Sequence, residues 1–212
     1  MKKPGIILLA LLVIPAFAQQ PPSGQSRGNR TPDEYVKLLE SERRISELQV
    51  DRVIAALKIK PGQKIADLGA GSGLFTRPMA AKLAGTGIVY AIDIDPDLLK
   101  HIEKTAQEQK LSNIRTVLGT ETDPKLPAPV DLIVIIDTLH HIQNQSAYLK
   151  NLKRYLRPDG RIAIIDFTND WPAGHEKMRY TLADLEGWMK AAGYTRTAKF
   201  DFLHNDFFVV YQ

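Results

Sequence analysis

Asp67-Leu68-Gly69-Ala70-Gly71-Ser72-Gly73, entered from Lys64-Ile65-Ala66 and left into Leu74-Phe75-Thr76, decides how this chain folds. It reads as a strand that ends in a glycine-rich turn and opens a helix, with an acid two residues before the first glycine. Glycine tolerates positive φ and lets a ligand approach the backbone where a Cβ would collide. Glycines at alternate positions therefore describe a surface moulded around a small molecule. A turn of the G-x-G-x-x-G kind would place its third glycine at Leu74, so the nicotinamide fingerprint is broken.

Outward from this turn the chain alternates short β-branched runs with amphipathic segments, each change marked by glycine, proline or aspartate. The pattern predicts strands over 64–68, 88–93, 114–118, 131–137, 161–167, 196–203 and 206–211. Helices are expected over 73–83, 96–110 and 143–157, and from Thr181 with Leu185, Trp188, Met189 and Ala192 facing inward. His204-Asn205 alone separates the last two strands, a hairpin-length connection that predicts antiparallel pairing. The fold class is α/β, a doubly wound, mostly parallel sheet with helices on both faces.

Ahead of the sheet, Thr31-Pro32-Asp33-Glu34 combines an N-cap threonine, a first-turn proline and a capping-box glutamate. A second helix is expected from about Ser41, with Ile45, Leu48, Val53, Ile54 and Leu57 as its apolar stripe. The expected layout is a signal peptide over 1–18, a disordered leader over 19–30, N-terminal helices over 31–60 and the main domain over 61–212.

The signal-peptide reading rests on Lys2 and Lys3, the apolar run Ile6 to Phe17 and the Ala16-Phe17-Ala18 cleavage pattern. That run is about 12 residues, against roughly 20 for a membrane span. The expectation is an exported, periplasmic domain starting at Gln19, with an inner-membrane anchor as the alternative if cleavage fails.

The chain of 212 residues has 28 basic and 24 acidic side chains, and losing Lys2 and Lys3 leaves 26 against 24. Near-neutral charge without aromatic interleaving argues against nucleic-acid binding. The absence of cysteine excludes disulfides, thiolate nucleophiles, cysteine-ligated metals and lipoprotein attachment.

Beyond the glycine turn, Asp93 ends the strand Ile88-Val89-Tyr90-Ala91-Ile92-Asp93, where a carboxylate accepts from both hydroxyls of a ribose in doubly wound nucleotide sites. Asp95 reads as the N-cap of the next helix, with Pro96 at its first position. Thr120 and Glu121 follow the third strand. Asp131-Leu132-Ile133-Val134-Ile135-Ile136-Asp137-Thr138-Leu139-His140-His141 ends at the switch point of the sheet. His140 and His141 are candidates for a general base, since imidazole titrates near neutrality, or for packing under the following helix. No metal site is expected, because neighbouring histidines cannot easily share one ion and no carboxylate-rich partner motif is evident. Leu156-Arg157-Pro158-Asp159-Gly160 reads as a helix-to-strand turn. In the irregular stretch 168–180, Trp171 and His175 are candidates for substrate contact.

These motifs, in this order, resemble those of class I S-adenosylmethionine-dependent methyltransferases over roughly residues 45–212, nearest to the small-molecule methyltransferases of the broad type 11 group. The resemblance implies a seven-strand sheet of order 3-2-1-4-5-7-6, with one antiparallel edge strand, binding S-adenosylmethionine. By the family pattern Asp67 and the backbone of Gly69, Ala70, Gly71 and Gly73 orient the methionine end, Asp93 holds the ribose and Ile94 lies against adenine. Thr120 stands where many relatives carry an acid that meets the adenine amino group. Asp137 and Thr138 border the sulfonium. Asp137 does not open an Asp-Pro-Pro-Tyr motif, which disfavours nucleic-acid bases as acceptors. The reading is methyl transfer to a small molecule, with His140, His141 and His175 as candidate catalytic groups. An exported, non-catalytic S-adenosylmethionine-binding protein and a nicotinamide-dependent oxidoreductase are the alternatives.

Overall fold

A computed structural model describes residues 28–169 and 171–212; the expected signal peptide and residues 19–27 of the expected leader lie outside the described residues. Seven strands form one sheet: β1 (Lys64–Leu68), β2 (Ile88–Asp93), β3 (Ile114–Leu118), β4 (Val130–Ile136), β5 (Leu156–Phe167), β6 (Arg196–Phe200) and β7 (Asp206–Tyr211). Their order is β3-β2-β1-β4-β5-β7-β6, as the resemblance implied. The first five run parallel, and β7 pairs antiparallel with both β5 and β6. The antiparallel strand is thus one in from the edge rather than at it, because the returning arm of the hairpin inserts beside β5.

Alternation along each strand divides the core into two layers. Ile65, Val89, Val134, Ile136, Ala163, Ile165 and Phe208 face one side. There they meet Val53 and Ile54 of α3 (Val50–Ala56), Met79 of α4 (Thr76–Lys82) and Ile102 of α5 (Pro96–Glu108). Ala66, Leu68, Ile92, Ile133, Ile135, Ile164 and Val209 face the other side. Leu149 and Leu152 of α6 (Gln145–Leu152) and Leu185 and Met189 of α7 (Leu182–Ala191) cover them. Among the described residues no helix is long and apolar enough to cross a membrane.

The helix expected over 143–157 ends at Leu152, and the 156–160 stretch expected as a helix-to-strand turn belongs instead to β5, Leu156 pairing with Val130. Three other boundaries move for a local reason. The helix expected from Ser41 divides into α2 (Glu42–Leu48) and α3 at Gln49, which adopts φ 44, ψ 53. The Gln49 side chain is drawn out by the Phe202 carbonyl, to which Nε2 donates at 2.7 Å. The strand expected to reach 203 ends at Phe200, since Phe202 turns away to lie under the Arg52 guanidinium, 4.4 Å from its ring centroid. The helix expected from 73 starts at Thr76, because Gly73 has φ +81, outside any right-handed helix.

Before the sheet, α1 (Pro32–Leu39) begins with the expected capping box, in which Thr31 and Glu34 exchange hydrogen bonds. Glu40, at its end, accepts from Arg77 Nη2 at 2.6 Å, while Arg77 Nη1 donates to the Ser72 carbonyl at 2.8 Å. These contacts hold α1 across the glycine turn.

Candidate active site

The order of the sheet reverses between β1 and β4, and the carboxyl ends of β1, β2 and β4 open there into one cavity, the crevice in which doubly wound sheets take ligands. The glycine turn forms its floor. Gly69 and Ala70 both donate backbone hydrogen bonds to the Ile92 carbonyl at 2.9 Å, which locks the turn to the end of β2. A Cβ on Gly69 would stand 2.2 Å from Thr138 Oγ1, so the turn and the end of β4 touch only because that position is glycine. Gly71 has φ +54 and approaches Leu39 of α1.

Asp93 accepts from the Gly71 amide at 2.8 Å through Oδ2 and from the Asp95 amide at 3.0 Å through Oδ1. Each oxygen keeps a second acceptor site, and Asp93 lines the cavity. Burial raises its pKa, against the two amides. A ligand diol donating to both oxygens would offset that burial. Asp95 takes the expected capping role, accepting from the Asp97 amide at 2.9 Å.

Asp67 is 3% exposed and accepts from Thr76 Oγ1 at 2.5 Å. Burial pushes its carboxyl up to about 7, the Thr76 hydroxyl opposes this and the charge of Asp93 adds to it. Asp137 sits at φ 47 immediately beyond β4 and receives Arg44 Nη1 of α2 at 2.5 Å. Burial raises its pKa and Arg44 pulls it back.

The cavity wall includes Asp67, Gly69, Ala70, Gly71, Asp93, Ile94, Thr120, Asp137 and Thr138, all expected there, and also Glu121. Gly73 does not line it; its Cα faces Ile102 of α5. Sequence reasoning missed Tyr35, Leu39 and Arg44 from the N-terminal helices and Tyr148 from α6. Arg44 had no local signal, since its partner Asp137 lies 93 residues away.

At the mouth, His141 lines the cavity while His140 is buried behind it. His140 Nδ1 lies 2.8 Å from Asp166 Oδ1, and Asp166 also accepts from Tyr180 Oη at 2.9 Å and from the Phe167 amide at 3.0 Å. Asp166 and Tyr180 were not anticipated from the sequence. Desolvation, then the neighbouring imidazoles of His140 and His175, hold His141 down to about 4. It is therefore neutral at pH 7, with a lone pair available to accept a proton. His175 joins this cluster from the 168–180 segment, 5.2 Å from each of the other two rings. Trp171 stacks edge-on to His140 and packs into the core layer beneath α7.

One further acid has a measurable consequence. Asp206, at the start of β7, is pushed up to about 7, first by burial and then by the charges of Asp137 and Asp166, against Arg44. A carboxyl whose folded pKa exceeds its ordinary 3.8 binds more protons in the folded state between those values, so its contribution to stability falls as pH rises from about 4 to about 7 and then levels. Asp206→Asn is therefore expected to gain stability relative to the parent across that window, by on the order of a few kcal/mol. Urea unfolding at pH 5 and pH 8 checks this; a difference that is constant with pH, or larger at pH 5, contradicts it.

Residues 66–162 match the profile of a family described as methyltransferase domain. A methyltransferase from Aquifex aeolicus described as SAM dependent superposes with a TM-score of 0.75 at 22% identity, over 86% of this chain and 98% of that one. The fold is the one this solved methyltransferase has, a Rossmann-like seven-strand sheet. Among curated relatives, (S)-coclaurine N-methyltransferase of Thalictrum flavum subsp. glaucum is 27% identical over 149 residues, 70% of this chain and 39% of its own length. A ubiquinone/menaquinone biosynthesis C-methyltransferase of Burkholderia vietnamiensis is 27% identical over 121 residues, 56% of this chain and 49% of its own. The chain spans less than half the length of these two relatives. A structure of coclaurine N-methyltransferase bound to N-methylheliamine and SAH superposes with a TM-score of 0.58 at 21% identity, over 65% of this chain and 45% of that one. The cofactor that the sequence resemblance implies is S-adenosylmethionine. The residues present fit it: Gly69 and Gly71 line the cavity with backbone alone, and at Asp93 stands a carboxylate with acceptor sites to spare for a diol.

Proposed function

We propose that this protein transfers the methyl group of S-adenosylmethionine to a small-molecule acceptor. The observation that carries this reading is the convergence of Asp93, the glycine turn and the Asp137-Thr138 corner on one cavity whose mouth is lined by His141. The bound donor supplies a methyl group already activated by its sulfonium. The chain's task is then alignment and exclusion of water, and well-oriented pairs gain roughly 7–11 kcal/mol from positioning alone. Asp93 anchors the ribose end and the backbone of the glycine turn lies against the methionine end, which fixes where the methyl points. The ion pair of Arg44 with Asp137 closes the wall nearest the switch point. Tyr35 and Leu39, carried by α1, roof the cavity. His141, unprotonated at neutral pH, is placed to take the acceptor's proton.

The relatives do not fix the acceptor atom, because one carries nitrogen and another carbon methyltransferase in its name. Incubation with methyl-labelled S-adenosylmethionine and separate sets of phenols, thiols and amines tests the proposal. Label is expected in one acceptor class, and that transfer is expected to disappear in Asp93→Ala. Saturable donor binding with no transfer to any class would instead favour the non-catalytic binding protein. The same proposal takes residues 1–18 as an export signal and the activity as lying outside the cytoplasm; fractionation with sequencing of the mature N-terminus tests it.

A further inference from the structure

We propose that His140, His141 and His175 form a zinc site at the acceptor mouth of the cavity. One nitrogen from each lies within 4.8 Å of the others. Their ring centroids are 4.2, 5.2 and 5.2 Å apart, a closed triangle. Neighbouring histidines do not easily share one ion, but here the short 3-10 turn Leu139–His141 sets their two rings side by side.

The surrounding groups are arranged as a metal-binding histidine requires. Asp166 receives the Tyr180 hydroxyl and the Phe167 amide, so its contact with His140 Nδ1 is one in which the imidazole donates. With its proton on Nδ1, His140 presents Nε2 as a free lone pair, and the carboxylate fixes the ring. The His141 ring has no hydrogen-bond partner among the described residues, and His175 Nδ1 has only a long 3.4 Å contact with the Ala173 carbonyl. Phe167 and Trp171 wall the cluster at 5.5 and 5.4 Å from His140. Tetrahedral zinc with Zn–N bonds of about 2.0–2.1 Å needs nitrogens about 3.3 Å apart, a closure within reach of the exposed His141 and half-buried His175.

Three protein ligands leave the fourth position open, and His141 lines the donor cavity, so that position faces the acceptor. With zinc bound His141 is a ligand and no longer the acceptor's base; zinc itself lowers the pKa of a coordinated O–H or S–H, whose proton passes to solvent. The heteroatom–methyl bond then forms as the carbon–sulfur bond breaks, its electron pair going to sulfur. The acceptor class this selects is a hydroxyl or thiol. This consequence rests on the methyl-transfer reading; the metal site itself does not.

The test is titration of the chelator-stripped full chain with zinc against a chromophoric chelator, and with cobalt(II) followed by visible absorption. The expected result is about one equivalent of zinc and the intense absorption of tetrahedral cobalt, with affinity about tenfold or more weaker in both His141→Ala and His175→Ala. His204→Ala, exposed in the β6–β7 connection, is expected to bind as the parent does. Failure to bind zinc, or binding unchanged in His141→Ala and His175→Ala, overturns the site. Calorimetric titration with S-adenosylhomocysteine on the same samples separates the two readings: lost donor-site binding with zinc retained overturns methyl transfer and leaves the metal site standing.

Discussion

Replacing Asp93 by alanine is expected to weaken binding of S-adenosylmethionine and S-adenosylhomocysteine by about a hundredfold or more. Two effects act together. The carboxylate's free acceptor sites are those available to the ribose diol, and hydrogen bonds to a charged group contribute about 1.5–3 kcal/mol each. The same oxygens hold the Gly71 and Asp95 amides, so their removal also loosens the floor of the cavity. Loss of a buried carboxyl offsets part of the structural cost, because burial already raises its pKa in the folded state. The variant should therefore still unfold cooperatively while calorimetry shows the lost affinity. Parent-like affinity in Asp93→Ala would mean the ribose lies elsewhere.

The largest effect on stability is expected from Gly69→Ala. The new Cβ would stand 2.2 Å from Thr138 Oγ1 and 2.3 Å from its Cγ2, at a backbone φ of +76 that alanine disfavours. Thr138 cannot swing aside freely, since its hydroxyl donates to the Ile136 carbonyl at 2.8 Å. Overpacking of about 1–3 kcal/mol and backbone strain of similar size sum to about 2–5 kcal/mol, read by urea unfolding. Adding Thr138→Gly removes the collision and leaves the strain, so the double variant should recover only part of the loss. A Gly69→Ala protein within about 0.5 kcal/mol of the parent would show that the turn and the end of β4 do not meet as described.

The strands were legible where β-branched runs end in glycine, proline or aspartate. β1, β2, β3 and β7 fall on their expected residues, because both the burial on each face and the stop signals are local. Gln49 and Phe202 were not legible. Their backbone is set by a hydrogen bond and a cation–π contact between segments 153 and 150 positions apart, and no periodicity encodes such contacts. The site divides in the same way. Asp67, Asp93 and Asp137 stand at strand ends beside turns, and a doubly wound sheet gathers such ends at one crevice. Arg44, Asp166, Tyr180 and Asp206 meet the site only through tertiary packing. The histidine triangle is intermediate: His140 and His141 are conspicuous in sequence, yet only the 168–180 segment, folding back, supplies His175.

The central claim is that the crevice between β1 and β4 is a methyl-donor site held by Asp93. Isothermal titration of the folded chain with S-adenosylhomocysteine tests it most directly. The predicted result is saturable binding of one molecule per chain, lost in Asp93→Ala and accompanied by a rise in the parent's melting temperature. A folded, cooperative protein that takes up neither S-adenosylhomocysteine nor S-adenosylmethionine would contradict it.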